Sequence, residues 1–322
     1  MGIIKKIGII GCGNVGMTTA YTLMVHGLCT EMVLIDINRK KAESEAMDLG
    51  HCLPFLSPMQ IYAGSYADLS DAEMIIIAAG VNQKPGETRI DLVHRNAGIF
   101  TDILHKITAV NRDCLLLIVS NPVDILTYVA LKASGFPKER VLGTGTVLDT
   151  ARLKYLVGEK LGVDYRNVHS FIIGEHGDSE LAVWSGANVS GINIDDFCPL
   201  CHSCNHMSDL YSLYDDVKNS AYKIIEGKGA TYYAIAQATR RIIDAIVRDE
   251  NTILPVSTYL SGEYGLHDIC MSIPSIIGAG GVKHVLDIPL NEKESGYLME
   301  SAGALRCVID SLSPLTAGSV FV

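Results

Sequence analysis

A histidine, an aspartate and an arginine in the second half of the chain have the chemistry of a proton-transfer site. His176, in the segment Gly174-Glu175-His176-Gly177-Asp178, has an imidazole that can give or take a proton near neutral pH. Asp149 could hold the tautomer of that imidazole and stabilise its charged form. Arg152, three residues further along a predicted helix, could bind a carboxylate through paired hydrogen bonds. Taken alone, the histidine could instead cap a loop, and Asp149 with Arg152 could be a surface ion pair.

A glycine-rich turn near the N-terminus has the spacing of a dinucleotide-binding site. Gly11-Cys12-Gly13-Asn14-Val15-Gly16 follows an apolar run and begins a predicted helix. Gly11 would allow the tight turn, Gly13 the approach of a pyrophosphate, and Gly16 the packing of helix against strand. Asp36, twenty residues after Gly16, could bind a ribose and repel a 2′-phosphate, which favours NAD over NADP. The alternative is a glycine turn with an unrelated aspartate.

The elements that must position these residues alternate between apolar runs and amphipathic stretches. Helical patterns at 15–26 and 90–111 separate runs that end at Ile10, Ile35, Ala79 and Val119. Short runs that are apolar on both faces are typical of a parallel sheet covered by helices on both sides. We therefore predict an α/β fold, with a doubly wound parallel Rossmann domain over residues 1–144 and an α+β substrate domain over residues 145–322.

The second half has a different pattern. We predict helices over 150–161 and 210–247, the second interrupted at 227–229, and one strand over 168–173 that leads to Gly174.

Length and composition exclude several classes of protein. The chain has 322 residues, 48% of them hydrophobic and 19% charged, so it can bury a large core and is not expected to be disordered. A net charge of −10 argues against a nucleic-acid partner. We find no targeting segment, and no apolar run approaches the roughly 20 residues that cross a bilayer, so no membrane partner is expected. Nine cysteines, an odd number, favour a reducing, cytoplasmic compartment.

Two further segments make the pattern specific. A polar loop, Asn82-Gln83-Lys84-Pro85-Gly86-Glu87-Thr88-Arg89, follows the third apolar run, and Ser120-Asn121-Pro122-Val123-Asp124 follows the fourth. With the glycine turn and the histidine and arginine segments, they make about residues 6–311 resemble the lactate/malate dehydrogenase family. The resemblance implies an NAD-dependent oxidoreductase that reversibly reduces a 2-keto acid by hydride transfer from NADH, with His176 as proton donor and acceptor.

The resemblance also implies roles for other residues. Arg89, on the loop that the family closes over its ligands, would polarise the substrate carbonyl, and Asn121 would donate a hydrogen bond to the same oxygen. Besides the glycine turn and Asp36, the implied cofactor contacts are Val15, Lys41, Tyr66, Gly80, Asn121 and Thr144.

Gln83 carries the prediction of substrate. At the matching position of the family, arginine suits a second carboxylate, as in malate dehydrogenases, and glutamine suits a methyl group, as in lactate-type members. Burying the second carboxylate of oxaloacetate beside Gln83 would cost several kcal/mol, against about 1–3 kcal/mol from apolar fit. Thr231, at the other wall of the pocket, matches the lactate-type pattern. Pyruvate and L-lactate are therefore the expected substrate pair, at the end of anaerobic glycolysis. The alternatives are a malate or branched 2-hydroxy-acid dehydrogenase and a catalytically silent NAD-binding protein.

Two residues match a regulatory site of bacterial family members. Lys154 and His169 stand where such members bind fructose 1,6-bisphosphate between subunits, and both should face away from the catalytic cleft. The usual residue at the first position is arginine, so lysine would lose bidentate phosphate binding. The alternative is two ordinary interface residues. The family commonly forms tetramers, which makes a homotetramer the expected assembly.

A cysteine-rich stretch departs from the commonest family sequences. Cys198, Cys201 and Cys204 form a CxxCxxC run with His202 and His206 interleaved. Zinc could take three thiolates and one imidazole. Because no second ligand pair is found further along the chain, we predict no metal and a reduced, solvent-facing loop.

Overall fold

A parallel sheet forms the first part of the protein. The computed structural model describes residues 3–81, 89–201 and 207–312. Six parallel strands lie in the order β6-β5-β4-β1-β2-β3, and they are β1 (Ile4–Ile10), β2 (Cys29–Ile35), β3 (Gln60–Ala63), β4 (Met74–Ile77), β5 (Leu115–Ile118) and β6 (Val141–Gly143). The helices between them are α1 (Asn14–Val25), α2 (Arg39–Gly50), α3 (Arg89–Thr108) and α4 (Val123–Ser134). The predicted Rossmann architecture is confirmed.

The central strand β4 illustrates how this sheet is stabilised. Its residues Met74, Ile75, Ile76 and Ile77 are all 0% exposed. Ile75 and Ile77 pack into the core beside α3 and α4, whereas Met74 and Ile76 pack into the core beside α1. This alternation places apolar side chains on both faces, and each fully buried one contributes about 1.5–3 kcal/mol.

The remaining strands and helices form the second part. They are α5 (Val147–Leu161), β7 (Val168–His169), β8 (Ile172–Ile173), β9 (Leu181–Ala182), β10 (Asn188–Val189), β11 (Ile192–Asn193), α6 (Ile194–Cys201), α7 (Met207–Lys228), α8 (Tyr233–Val247), β12 (Thr252–Ser261), β13 (His267–Gly278), β14 (Gly281–Val285) and α9 (Glu292–Ser311). Three of these strands extend the central sheet, because β12 pairs antiparallel with β6 and continues to β13 and β14. One sheet therefore serves both predicted domains. None of the helices among the described residues is long and apolar enough to span a membrane.

One predicted strand is wrong. The run at 168–173 forms two short strands, of which β7 belongs to a sheet with β10 and β11, and β8 pairs with β9. Ser170 and Phe171 separate them, and the carbonyl of Phe171 accepts a hydrogen bond from the N–H of Val183 at 2.8 Å. An apolar run of strand length therefore changes sheets midway, which residue pattern alone does not reveal.

Candidate active site

The fold brings His176 and Asp149 together although 26 residues lie between them. Asp149 lies in the first turn of α5, and His176 follows β8 by way of Gly174, whose φ of +97° suits glycine. Gly174 and Ser272 of β13 exchange two backbone hydrogen bonds of 2.9 and 3.0 Å, which attach the histidine loop to the central sheet. As a result, Nδ1 of His176 lies 2.6 Å from Oδ2 of Asp149.

The electrostatics of this pair favour its charged form. Burial by itself would lower the pKa of His176, but the adjacent Asp149 carboxylate, with smaller contributions from Glu180 and Asp124, outweighs burial and raises the pKa from 6.5 to about 9. Burial by itself would raise the pKa of Asp149, but His176 and Arg152 together hold it below its usual range. The pair can therefore keep a proton on the imidazole at neutral pH and release it to a developing alkoxide.

Arg152 joins the same cluster from the next turn of α5. Its Nη1 donates a hydrogen bond of 2.8 Å to Oδ1 of Asp149, so the two carboxylate oxygens have different partners. Side-chain exposure is 13% for Arg152 and 4% for Asp149, which makes this a sheltered pair rather than a surface pair. Among the described residues, no other acceptor binds the guanidinium, so its other N–H groups can bind a ligand carboxylate.

Asp124, to which the sequence reasoning gave no role, holds the backbone of the histidine loop. It lies in the first turn of α4, two residues after the cis peptide between Asn121 and Pro122. Its carboxylate accepts hydrogen bonds from the backbone N–H of His176 at 2.7 Å and from the hydroxyl of Ser272 at 2.9 Å. Burial raises the pKa of Asp124 to about 6. The feature of the sequence that could have identified Asp124 was an acidic residue in the first turn of an apolar helix.

Glu180 is a second residue that sequence reasoning missed. It is 6% exposed, and its ligand atoms, with those of Asp149 and His176, all lie within 4.8 Å of one another. Burial, followed by the charge of Asp149, raises the pKa of Glu180 to about 8. A glutamate four residues after His176 was the only signal in the sequence.

The glycine turn fits a dinucleotide. Gly11 has a φ of +105°, and a Cβ there would meet the backbone N of Ala79 at 2.6 Å. A Cβ on Gly16 would collide with the carbonyl of Gly11, whereas one on Gly13 would meet no atom within 4 Å. Gly13 therefore borders open space at the start of α1, where free N–H groups can bind phosphate.

Asp36 is held at the end of β2 by two backbone hydrogen bonds of 2.8 Å, from the N–H groups of Cys12 and Asn38. Its carboxylate is half-buried beside the glycine turn, the position that suits ribose binding. The residues present thus fit NAD.

The other residues predicted to contact the cofactor differ in their exposure. Lys41, Gly80 and Asn121 are exposed, Val15 is half-buried, and Thr144 is buried after β6. The ring of Tyr66 packs against the core, and its centroid lies 5.4 Å from Nζ of Lys106.

The predicted substrate residues are described unequally. Arg89 begins α3, but its side chain and the whole of Gln83 lie outside the described residues. Thr231 is half-buried in the turn between α7 and α8.

Lys154 of α5 and His169 of β7 line one cleft. This cleft, which we call the α5–β7 cleft, has a volume of about 1060 Å³, and neither Asp149, Arg152 nor His176 lines it. Its other polar lining residues include Asn188 and Arg241. Burial lowers the pKa of the Lys154 ammonium, and no carboxylate among the described residues forms an ion pair with it.

The prediction of a reduced, solvent-facing cysteine loop is wrong at Cys198. This residue is in α6, is 5% exposed and packs in a core cluster with Leu153 and Val157. Its sulfur is in a disulfide, so it is not a free thiolate. An apolar helix face buries the sulfur, which the spacing of cysteines did not indicate. Residues 202–206 and the side chain of Cys201 lie outside the described residues.

Comparison with family models divides the chain in two. Residues 5–143 match the lactate/malate dehydrogenase NAD-binding domain, and residues 146–314 match the lactate/malate dehydrogenase α/β C-terminal domain. The predicted NAD cofactor and the predicted family are both confirmed.

Individual relatives agree over almost the full length. An L-lactate dehydrogenase of Acetivibrio thermocellus is 55% identical over 310 residues, which are 96% of this chain and 98% of that protein. L-lactate dehydrogenase 1 of Clostridium acetobutylicum is 50% identical over 308 residues, 95% of this chain and 98% of its own length. The crystal structure of a minor L-lactate dehydrogenase of Enterococcus mundtii has a TM-score of 0.93 at 44% identity, and the alignment covers 96% of this chain and 98% of that one. On its paired domains, its glycine turn and its full-length relatives, the chain belongs to the lactate/malate dehydrogenase family.

Proposed function

We propose that this chain is an NAD-dependent L-lactate dehydrogenase, which reversibly reduces pyruvate to L-lactate. One observation carries the proposal: His176 lies 2.6 Å from Asp149, whose other oxygen binds Arg152 at 2.8 Å. A proton donor and a carboxylate-binding group are thereby attached to the same buried anion. The full-length relatives that are named L-lactate dehydrogenases support the same substrate.

The cofactor would bind at the start of α1. NAD, when bound as NADH, supplies the hydride for the substrate carbon. The N–H groups at Gly13 and the start of α1 would bind its pyrophosphate, and Asp36 would accept hydrogen bonds from its ribose. The remaining contacts proposed for it are Gly11, Val15, Gly16, Lys41, Tyr66, Gly80, Asn121 and Thr144.

Arg152 and His176 would share the work on the substrate. The free N–H groups of Arg152 bind the carboxylate of pyruvate and fix its orientation. The protonated imidazole then donates its proton to the carbonyl oxygen as negative charge develops there, and in the reverse direction it accepts the hydroxyl proton. Asp149 stabilises the imidazolium throughout and directs its other ring nitrogen towards the substrate.

Substrate choice would depend on residues at the mouth of the site. Arg89 and Asn121 are proposed to polarise the carbonyl, and Gln83 and Thr231 to surround the methyl group. A carboxylate in place of that methyl group would be buried with no cation beside Gln83.

An assay of NADH oxidation with pyruvate and with oxaloacetate tests the proposal. We expect kcat/KM to be higher for pyruvate, and we expect Gln83→Arg to reverse the preference by increasing turnover of oxaloacetate. The proposed activity is wrong if the purified protein oxidises NADH with neither acid. If Gln83→Arg leaves the ratio of kcat/KM values unchanged, Gln83 does not determine specificity.

A second proposal concerns the α5–β7 cleft, where we infer a binding site for fructose 1,6-bisphosphate. Lys154 is a half-buried cation whose charged form is disfavoured by burial, so a phosphate beside it would relieve that cost. His169 lines the same cleft and could bind a second oxygen. Titrating the sugar bisphosphate into the pyruvate assay should lower KM, and Lys154→Met should abolish the response. A KM that is constant across concentrations and pH would leave these as ordinary interface residues.

The assembly and location follow as expectations of the same proposal. Exposed apolar side chains, such as Phe55 at 86% and Leu200 at 65% exposure, are compatible with contacts in a homotetramer. Cys12, Cys29, Cys52, Cys114, Cys270 and Cys307 are free, which suits the cytoplasm, whereas the disulfide at Cys198 is atypical of that compartment. Analytical ultracentrifugation tests the assembly, and a monomer at micromolar concentration would contradict it.

A further inference from the structure

Glu180 is a buried carboxyl group for which the proposed mechanism has no task. The residue is 6% exposed, and Oε1 is buried without a hydrogen-bond partner among the residues that the structure describes. The backbone holds it in place, because its N–H donates to the carbonyl of Gly177 at 3.3 Å and its own carbonyl accepts from the hydroxyl of Tyr214. Burying a charged carboxylate oxygen without a hydrogen-bond partner costs much more free energy than burying a neutral carboxyl group.

Charged and titratable groups face Glu180 from three directions. Asp149 and Arg152 belong to α5, His176 belongs to the loop after β8, and Lys218 and Tyr214 belong to α7. Nζ of Lys218 donates to the carbonyl of Asp178 at 3.3 Å and lies 4.7 Å from the ring centroid of Tyr214. Ligand atoms of Asp149 and Glu180 lie within 4.8 Å of each other, so the charge of Asp149 opposes a second negative charge on Glu180.

A bound metal cation explains the cluster of Asp149, His176 and Glu180 less well. Asp149, His176 and Glu180 offer ligand atoms that lie within 4.8 Å of one another. However, Oδ1 of Asp149 accepts from Arg152 and Oδ2 binds His176. The guanidinium supplies positive charge where a metal ion would have to enter, so a proton on Glu180 relieves the repulsion at lower cost.

We propose that Glu180 is a positioning residue and a third proton-binding group of the active site. It is neutral while His176 and Asp149 carry the working charges, and when it ionises it retains the catalytic proton on His176. The inference rests on the proposed function, in which His176 donates that proton to the substrate.

The consequence is a wider pH range for reduction of the keto acid. Release of the Glu180 proton to water places a negative charge close to His176, and this charge raises the pKa of the imidazole. As pH rises, the deprotonation of Glu180 therefore delays the deprotonation of His176. Asp124, which binds the backbone of His176, acts on the imidazole in the same direction. Its own pKa of about 6 places its titration at lower pH than that of Glu180.

The first test follows the proton itself. Infrared difference spectra of the whole protein between about pH 7 and about pH 9.5 should show loss of a protonated carboxylic acid band. We expect Glu180→Gln to lack this band and Glu175→Gln to keep it. Glu175 is a matched control in the same loop, where its carboxylate accepts from the hydroxyl of Ser179. An unchanged band in Glu180→Gln overturns the proposal, and this reading needs no enzymatic activity.

The second test is the pH profile of pyruvate reduction. In Glu180→Gln, the midpoint of the alkaline decline in kcat/KM should move down by about 1 pH unit, because His176 loses a charge within a few ångströms. Glu175→Gln should keep the wild-type midpoint. A purely structural role would change the height of the profile and leave its midpoint in place, which would count against the proposal. If the wild type does not reduce pyruvate, the proposed function fails, and the infrared titration still decides whether Glu180 holds a proton.

Discussion

Replacing Asp149 with asparagine is the most direct test of the catalytic pair. Burial opposes protonation of His176, but Asp149, with smaller contributions from Glu180 and Asp124, raises its pKa from 6.5 to about 9. This increase corresponds to roughly 3 kcal/mol in favour of the imidazolium. At pH 7.5, an imidazole with a pKa near 9 is about 97% protonated, against roughly 9% at a pKa of 6.5. Loss of protonation alone therefore predicts about a tenfold decrease in pyruvate reduction.

The asparagine side chain removes a second contribution as well. It can still accept a hydrogen bond from Arg152, but it no longer enforces the tautomer of His176 or stabilises its charge. We expect kcat/KM for pyruvate at pH 7.5 to fall by about 100- to 1000-fold. The midpoint of the alkaline decline should move from near 9 to roughly 6.5 or below.

Steady-state NADH oxidation measured from about pH 5.5 to about pH 10 provides the readout. Asp164→Asn is the matched control, since Asp164 binds Arg166 at an exposed turn after α5 and should leave the profile unchanged. An alkaline midpoint that stays near 9 in Asp149→Asn would refute the claim that the Asp149 carboxylate raises the pKa of His176.

Three further predictions follow from the same geometry. Arg152→Lys should increase KM for pyruvate by roughly 10- to 100-fold, with a smaller change in KM for NADH, because an ammonium group cannot bind a carboxylate through two paired hydrogen bonds. Equal changes in both KM values would contradict this prediction. Gly13→Ala should keep the wild-type Tm and raise KM for NADH. Gly16→Ala should lower Tm, because its Cβ would collide with the carbonyl of Gly11. Equal Tm values for the two variants would contradict this packing argument. Finally, Tm should fall by several degrees between about pH 6.5 and about pH 9. His176 and Glu180 have raised pKa values in the folded state, so the folded protein binds more protons than the unfolded chain. The stabilisation that this proton binding provides is lost as pH rises through 8 to 9. A Tm that stays constant or rises over this range would contradict the prediction.

Local features of the site could be predicted because they depend on neighbouring residues. Gly11, Gly13 and Gly16 lie within six positions, and the conformation of a tight turn requires glycine at such spacing. Arg152 lies one helical turn after Asp149, so a helix of any fold would place them on one face. The parallel strands were also predictable, because a strand buried on both faces needs a continuous apolar run.

Long-range features were not predictable in the same way. The strand predicted at 168–173 failed because its two halves join different sheets, and the antiparallel extension by β12, β13 and β14 has no local signature that the sequence reasoning used. Cys198 was expected on a solvent-facing loop, yet α6 buries it against α5 residues. In each case the outcome depends on which partner surface a segment meets.

The residue types, and therefore the kind of chemistry, were determined by the sequence alone: an imidazole, a guanidinium, carboxylates and a phosphate-binding turn. Tertiary structure decided which carboxylates act on the imidazole. Asp124, Asp149 and Glu180 come from α4, α5 and the end of the histidine loop, and they meet at His176 because Gly174 pairs with Ser272 on the central sheet. Proton affinities depend on distances of a few ångströms and on burial, and both are set only when those elements pack together.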